Sequence, residues 1–222
     1  MIFIILAIAF AIADWYAVSV GLKRAEYIAK PAAMLLLILW YATRFTVPSQ
    51  QELVFLLALA LSLCGDIFLM WPTDEFIKGL ASFLLAQIAY IVAFNYFGVV
   101  ITPVTIIFAL LIAVLAYLVL RRILAALRAS GKSALVIPII AYAAVLSGML
   151  WSAMSNMVRP GWPFGYGLIS AVGASLFFAS DISIAWNRFV GPTRGGRLFE
   201  MVAYHLAQFL MTMALLLTVE AL

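Results

Sequence analysis

Charge is scarce in this sequence. Only 10% of its 222 residues are Asp, Glu, Lys or Arg, while 68% are hydrophobic. That balance excludes a water-soluble domain and points to an integral membrane protein. Cysteine is nearly missing: Cys64 stands alone, so no internal disulfide can form and the redox compartment goes unread. Beside Asp66, Cys64 reads either as a thiol at a reactive site or as a small apolar residue at a packed one. There is one histidine, His205, with no HxxxH or HExxH spacing. A His with two or three Asp is the only metal-binding set left, and neither a metal nor a cofactor is expected. No glycine-rich phosphate loop and no Gly-x-Ser-x-Gly elbow occurs, which argues against Ser62, Ser180 and Ser183 as nucleophiles. No basic run exceeds two residues, so the formal charge of +4 does not suggest nucleic acid. Alternating polarity is also lacking, which excludes a membrane β-barrel.

What remains is a series of continuous apolar runs, each close to the ~20 residues that cross a bilayer. Eight are expected, at about residues 2–20, 31–45, 52–71, 76–97, 104–120, 134–155, 164–186 and 198–219. The fold class is therefore all-α, with eight transmembrane helices in a single domain covering residues 1–222. Ala11-Ile12-Ala13 resembles a signal-peptidase site, but no basic segment precedes it, and the first run is read as a retained span. Lys23 to Lys30 is read as a linker, with Pro31 in the first turn of the second span. Arg121, Arg122, Arg128 and Lys132 are read as a basic loop, and Arg159-Pro160-Gly161-Trp162-Pro163 as a rigid interfacial turn.

The basic residues fix an orientation. The odd-numbered loops hold Lys23, Arg24, Lys30, Lys78, Arg121, Arg122, Arg128, Lys132, Arg188, Arg194 and Arg197, while the even-numbered loops hold only Arg44 and Arg159. The positive-inside rule then places the odd loops in the cytoplasm and both termini on the non-cytoplasmic side. The expected location is a cell membrane, namely a bacterial inner membrane.

Two of the spans carry carboxylates in matching settings. Leu61 to Met70 contains Gly65-Asp66-Ile67, and Leu176 to Ala185 contains Ser180-Asp181-Ile182. An acid in hydrocarbon is expensive and marks a functional site by default. Asp14, Asp66 and Asp181 all fall late in spans that run toward the cytoplasm. Lys30, Gln87, Tyr142 and His205 fall early in spans that leave it. At 1.5 Å per residue these positions share a slab ~7–17 Å below the cytoplasmic interface, which predicts one polar cavity open toward the inner leaflet. His205 and Gln208 lie on one helix face, as do Phe83, Gln87 and Tyr90. A weak parallel repeat is expected between the third and fourth spans (Asp66, then Leu85-Ala86-Gln87) and the seventh and eighth (Asp181, then Leu206-Ala207-Gln208). Bland readings stand beside each of these. Asp14 pairs with Lys23 or Arg24, Lys30 snorkels to the interface, binds a phosphate or holds Asp66 ionised, and Gln87, Tyr90 and Tyr142 either cap one another or contact a ligand.

Several of these elements carry a family likeness: Lys30-Pro31; Leu63 to Met70 around Gly65-Asp66; Phe76 to Phe83 with Ala89-Tyr90; and Gly173 to Phe177 with Ser180-Asp181. In order and spacing they resemble the YhhN-like membrane proteins, a family that includes the lysoplasmalogenases. The resemblance implies an eight-helix enzyme that cleaves the vinyl-ether bond of lysoplasmalogen. Its substrate would be a lysophospholipid and its products a fatty aldehyde and a glycerophospho-ethanolamine or -choline. Family members often carry His where this chain has Gln87, which leaves that position without its acid–base group. The implied chemistry suits two acids, Asp66 and Asp181, one to protonate the enol ether and one to stabilise the cation or activate water. Lys30, Asp14, Gln87, Tyr90, Tyr142, His205 and Gln208 would support them. The alternatives are a small proton-coupled transporter, against which the one-sided polar distribution counts, and a structural membrane protein, which leaves the paired acids unexplained. Oligomeric state is not legible, and the remaining partner is membrane lipid.

Overall fold

A computed structural model describes residues 1–221. Among the described residues there is no strand, and eight helices are long and apolar enough to cross a membrane. The chain is a multi-pass, all-α membrane protein. The helices are α1 Ile2–Val20, α2 Lys23–Ala42, α3 Gln50–Met70, α4 Phe76–Phe94, α5 Pro103–Ala129, α6 Val136–Ser155, α7 Phe164–Phe189 and α8 Gly196–Ala221. Short 3-10 turns at Ser133–Leu135 and Asn156–Val158 flank α6.

Two helix boundaries differ from the expected ones for a shared reason. The segment read as a linker, Lys23 to Lys30, is the first two turns of α2, so Pro31 lies inside the helix. The basic segment 121–128, read as loop, is the end of α5. Lys and Arg are good helix formers, so a helix continues past the point where apolar character stops. Within a membrane helix, the bond that Pro31 cannot donate is a tolerable loss.

The chain forms two compact units, one covering Met1–Tyr96 and the other beginning at Phe97. In the first, α1 and α2 form one antiparallel hairpin, α3 and α4 a second, and α2 packs on α3. Gly21, at φ 74°, ends α1 in the left-handed conformation that lets the chain reverse into α2. The buried face of α1 is Ala7, Ala11, Asp14 and Ala17, small residues at helical spacing that allow close approach. Ser49 and Glu52 cap α3 reciprocally, the Ser49 amide donating to Glu52 Oε2 (2.5 Å) and the Glu52 amide to Ser49 Oγ (3.4 Å). Gln51 Nε2 donates to the Ala93 carbonyl at 2.9 Å, tying the start of α3 to the end of α4.

In the second unit, α7 and α8 share the most extensive packing, with α6 on α7 and α5 on α6. Thr102 and Thr105 cap α5 around Pro103. Trp151 Nε1 donates to the Thr105 carbonyl at 2.7 Å, fastening α6 to α5. At the same end Arg159 is buried, donating from Nε to Asn156 Oδ1 (2.8 Å) and from Nη1 to the Gly98 carbonyl (2.5 Å). Burial holds its guanidinium below the usual arginine range. The turn expected at 159–163 is thus pinned by its own first residue.

Candidate active site

In the first unit, α2 and α3 bring Lys30 and Asp66 together. Lys30 Nζ lies 2.9 Å from Asp66 Oδ1, with the Lys30 side chain 5% and the Asp66 side chain 0% exposed. Snorkelling to the interface is therefore not what Lys30 does. Two charges removed from water are tolerable only in such a pair, which also binds α2 to α3. Gly65 prepares the position. A Cβ there would stand 2.6 Å from the Phe83 ring of α4, so only glycine lets Phe83 sit against α3 one residue before the acid. One turn along the same α4 face is Gln87, wholly buried. Tyr90 follows, packed in an aromatic cluster with Phe55 (5.1 Å between centroids) and Phe94 (6.2 Å). Asp14 is completely buried, whereas Lys23 and Arg24 are exposed. Counting outward from the reversal at Leu22, Asp14 and Lys30 lie equally far along α1 and α2, which puts them at one level of the hairpin.

In the second unit, α6 and α7 bring Tyr142 and Asp181 together. The Tyr142 hydroxyl donates to Asp181 Oδ2 at 2.5 Å. Asp181 is buried and Tyr142 half-buried. His205 and Gln208 are both buried on α8, as their spacing predicts. The Ser180 hydroxyl donates to the Glu200 carbonyl at 3.0 Å, and this contact sets the α7–α8 register. By these α7–α8 contacts His205 lies within two turns of the level of Asp181, and Gln208 one turn farther. Gly173 permits the close approach there, since its Cβ would meet Met211 and Leu210 at 2.9–3.0 Å.

Sequence reasoning missed three buried carboxylates, Glu26 and Glu52 in the first unit and Glu200 in the second. Glu200 is buried. Its Oε1 accepts from Ser183 Oγ at 3.2 Å and from Asn187 Nδ2 at 2.5 Å. Asn187 Oδ1 in turn accepts from the Thr193 amide and hydroxyl, both at 2.8 Å. The only signal in the sequence was spacing: Ser180, Ser183 and Asn187 recur on one face of α7. Among the described residues, no group of three or more His, Cys, Asp or Glu side chains is placed to hold a metal ion.

The arrangement offers two buried acids in different company, Asp66 beside an ammonium and Asp181 beside a neutral hydroxyl. Comparison with known proteins adds a relationship to this geometry. The model of the YhhN family matches residues 25–215. Among curated proteins, the chain is 33% identical over 163 residues to "Lysoplasmalogenase TMEM86B" of Sus scrofa, covering 71% of this chain and 61% of that protein. It is 32% identical over 159 residues to the Homo sapiens protein of the same name, covering 72% of this chain and 62% of that one. To "Lysoplasmalogenase TMEM86A" of Homo sapiens it is 29% identical over 158 residues, covering 70% and 62%. The matched region thus spans about three fifths of the length of these relatives. No solved structure matches.

Proposed function

The chain belongs to the YhhN family, and from that premise we propose that it is a membrane hydrolase that cleaves the vinyl-ether bond of lysoplasmalogens. Its products are a fatty aldehyde and a glycerophospho-ethanolamine or -choline. Support comes from the relatives named lysoplasmalogenase and from the contrast between the two buried acids. The ion pair with Lys30 needs Asp66 charged, which suits it to accept a proton. Asp181 accepts from the neutral Tyr142 hydroxyl, a partner that does not require it to be charged, which suits it to hold the proton that is delivered.

The reaction then runs in three steps. Asp181 protonates the β-carbon of the enol ether, and the C=C electrons close onto that proton, leaving an oxocarbenium ion. Water adds to the cationic carbon as Asp66 takes up the proton it sheds. The hemiacetal collapses: Asp66 returns its proton to the glycerol oxygen as the C–O bond to glycerol breaks, and Asp181 takes the hydroxyl proton as the aldehyde forms, so both acids end as they began. One water is consumed, and no oxidant, reductant or covalent intermediate is needed. This is the division of labour between two carboxyl groups used in glycoside hydrolysis. The reading places the reaction in a cell membrane, with the head group at the cytoplasmic interface and the alkenyl chain among the helices.

The test is to incubate purified protein in detergent or vesicles with lysoplasmalogen and measure aldehyde. Release by the wild type that disappears in Asp66→Asn and Asp181→Asn, with both variants folded, is the expected result. Solute uptake into vesicles without aldehyde release would replace this reading with a transporter.

A further inference from the structure

One end of the second unit carries a concentration of positive charge that the reaction does not use. The C-terminal turns of α5 and α7 and the first turns of α6 and α8 meet there, because the helices pack as antiparallel neighbours. Arg121, Arg122, Arg128, Lys132, Arg188, Arg194 and Arg197 all lie at this end, and all are exposed. The unit's carboxylates Asp181 and Glu200 are buried, and its remaining one, Glu220, belongs to the other end of α8.

Two features make this more than a scatter of loop charges. The α5–α6 and α7–α8 turns share an aromatic post. Lys132 Nζ stands 5.9 Å from the centroid of the Phe189 ring, and the Arg188 guanidinium stands 6.0 Å from it. Cations from separate turns are thereby gathered over one ring. The α7–α8 turn is also fastened from below. Thr193 donates twice to Asn187 Oδ1, and Asn187 donates to the buried Glu200. Gly196 leaves no room for a side chain, since a Cβ would stand 2.5 Å from Asn187 Nδ2. Arg194 and Arg197 therefore leave a braced turn.

We propose that this end of the second unit, from Arg121 through Lys132 and from Arg188 through Arg197, binds the phosphate head group of an anionic membrane lipid. The charge is complementary. The exposed side chains sit where two membrane-spanning pairs of helices leave the bilayer, so a lipid's acyl chains can run down α5 and α7 while its phosphate meets the cations. The proposal is independent of the reaction, since none of these residues is assigned to it.

The experiment is native mass spectrometry of the detergent-solubilised full chain, titrated with phosphatidylglycerol and with phosphatidylcholine of the same acyl chains. The wild type is expected to retain phosphatidylglycerol several-fold more than phosphatidylcholine, with the preference falling as salt rises. The variants Lys132→Gln/Arg188→Gln and Arg194→Gln/Arg197→Gln should each lose most of that preference while keeping the wild-type melting temperature. Lys23→Gln/Arg24→Gln, the same charge change in the first unit, should leave it intact. Equal retention of both lipids by the wild type overturns the proposal. An equal loss of preference in the Lys23/Arg24 variant also overturns it, because net charge rather than this surface would then be responsible. If inorganic phosphate at equal concentration abolishes the preference, the surface is a phosphate site rather than a lipid one, and the proposal likewise falls.

Discussion

At the scale of single residues, Lys30 and Asp66 make each other tolerable in an apolar interior. Removing one partner of such a pair strands the other, and the cost is larger than the net value of the pair. Lys30→Met is expected to destabilise the first unit by about 3–5 kcal/mol, read by thermal or denaturant unfolding in detergent. The double change Lys30→Met/Asp66→Asn should recover much of that loss, because no uncompensated charge remains. Equal stability of the single and double variants would contradict the account. Tyr142→Phe poses the complementary question in the second unit. It removes the hydrogen bond to Asp181 Oδ2 and leaves the ring. As Asp181 gives up its proton it becomes a carboxylate, and a hydrogen bond to a charged group contributes about 1.5–3 kcal/mol, so aldehyde release is expected to fall roughly ten- to hundredfold by the same figure. Unfolding should move far less than activity. Both pairs join residues that the sequence marks out, since Asp66, Asp181, Lys30 and Tyr142 are polar groups at membrane depth. Lys30 beside Asp66 was one of the readings open from the sequence, but which reading holds was not legible. Hydropathy gives depth along a helix but not rotation about it, so which hydroxyl meets which acid depends on how α6 turns toward α7. Glu200 escaped for another reason: it follows Arg197 and sits beside a glycine-rich loop, where a carboxylate looks solvated. Only packing shows that α7 covers it.

At the scale of elements, the number and order of the helices follow from apolar runs, and their ends do not. Hydropathy measures how much of a helix lies in hydrocarbon, whereas hydrogen bonding and propensity decide where it stops. α5 has 27 residues, or about 40 Å at 1.5 Å per residue, against a hydrocarbon core of about 30 Å. Its surplus turns are those with Arg121, Arg122 and Arg128. The extension of α2 back to Lys23 has the same origin, and it matters more because it makes Lys30 a mid-helix residue with a fixed direction. The α7–α8 connection is likewise an ordered element, although its glycines suggest a slack loop. Asn187 joins it to both helices, as donor to Glu200 and acceptor from Thr193. Asn187→Ala is expected to destabilise the unit by about 1–3 kcal/mol, since it leaves buried Glu200 with one donor fewer. It should also speed tryptic cleavage after Arg194 relative to the wild type. Unchanged cleavage would mean that the turn is held by something other than this side chain.

At the scale of the whole molecule, the distribution of charge predicts which way the chain faces. Ten of the thirteen basic residues fall at the turns after α1, α3, α5 and α7, or in the helical ends beside them, and Lys30 lies two turns into α2 from the same side. Re-drawing the ends of α2 and α5 moves several of these residues from loop to helix but moves none to the other side. The asymmetry is therefore insensitive to where each helix stops. Carrying a cluster such as Arg121, Arg122, Arg128 and Lys132 across a bilayer is opposed at each residue, while the turn from Gly98 to Thr102 carries no charge at all. The odd-numbered turns are thus expected on the cytoplasmic side and both termini on the other. The single cysteine makes this testable, because Cys64→Ser leaves a cysteine-free background. In that background Val99→Cys and Ser130→Cys each place a thiol at an exposed position, one on either side of α5. A membrane-impermeant maleimide applied to intact cells should label the Val99→Cys variant at once, and the Ser130→Cys variant only after permeabilisation. The reverse pattern would invert the molecule, turning the basic end of the second unit and the expected entrance for the head group toward the opposite leaflet. Labelling of both variants in intact cells would show that the chain inserts in two orientations, and that its charge asymmetry is too weak to choose between them.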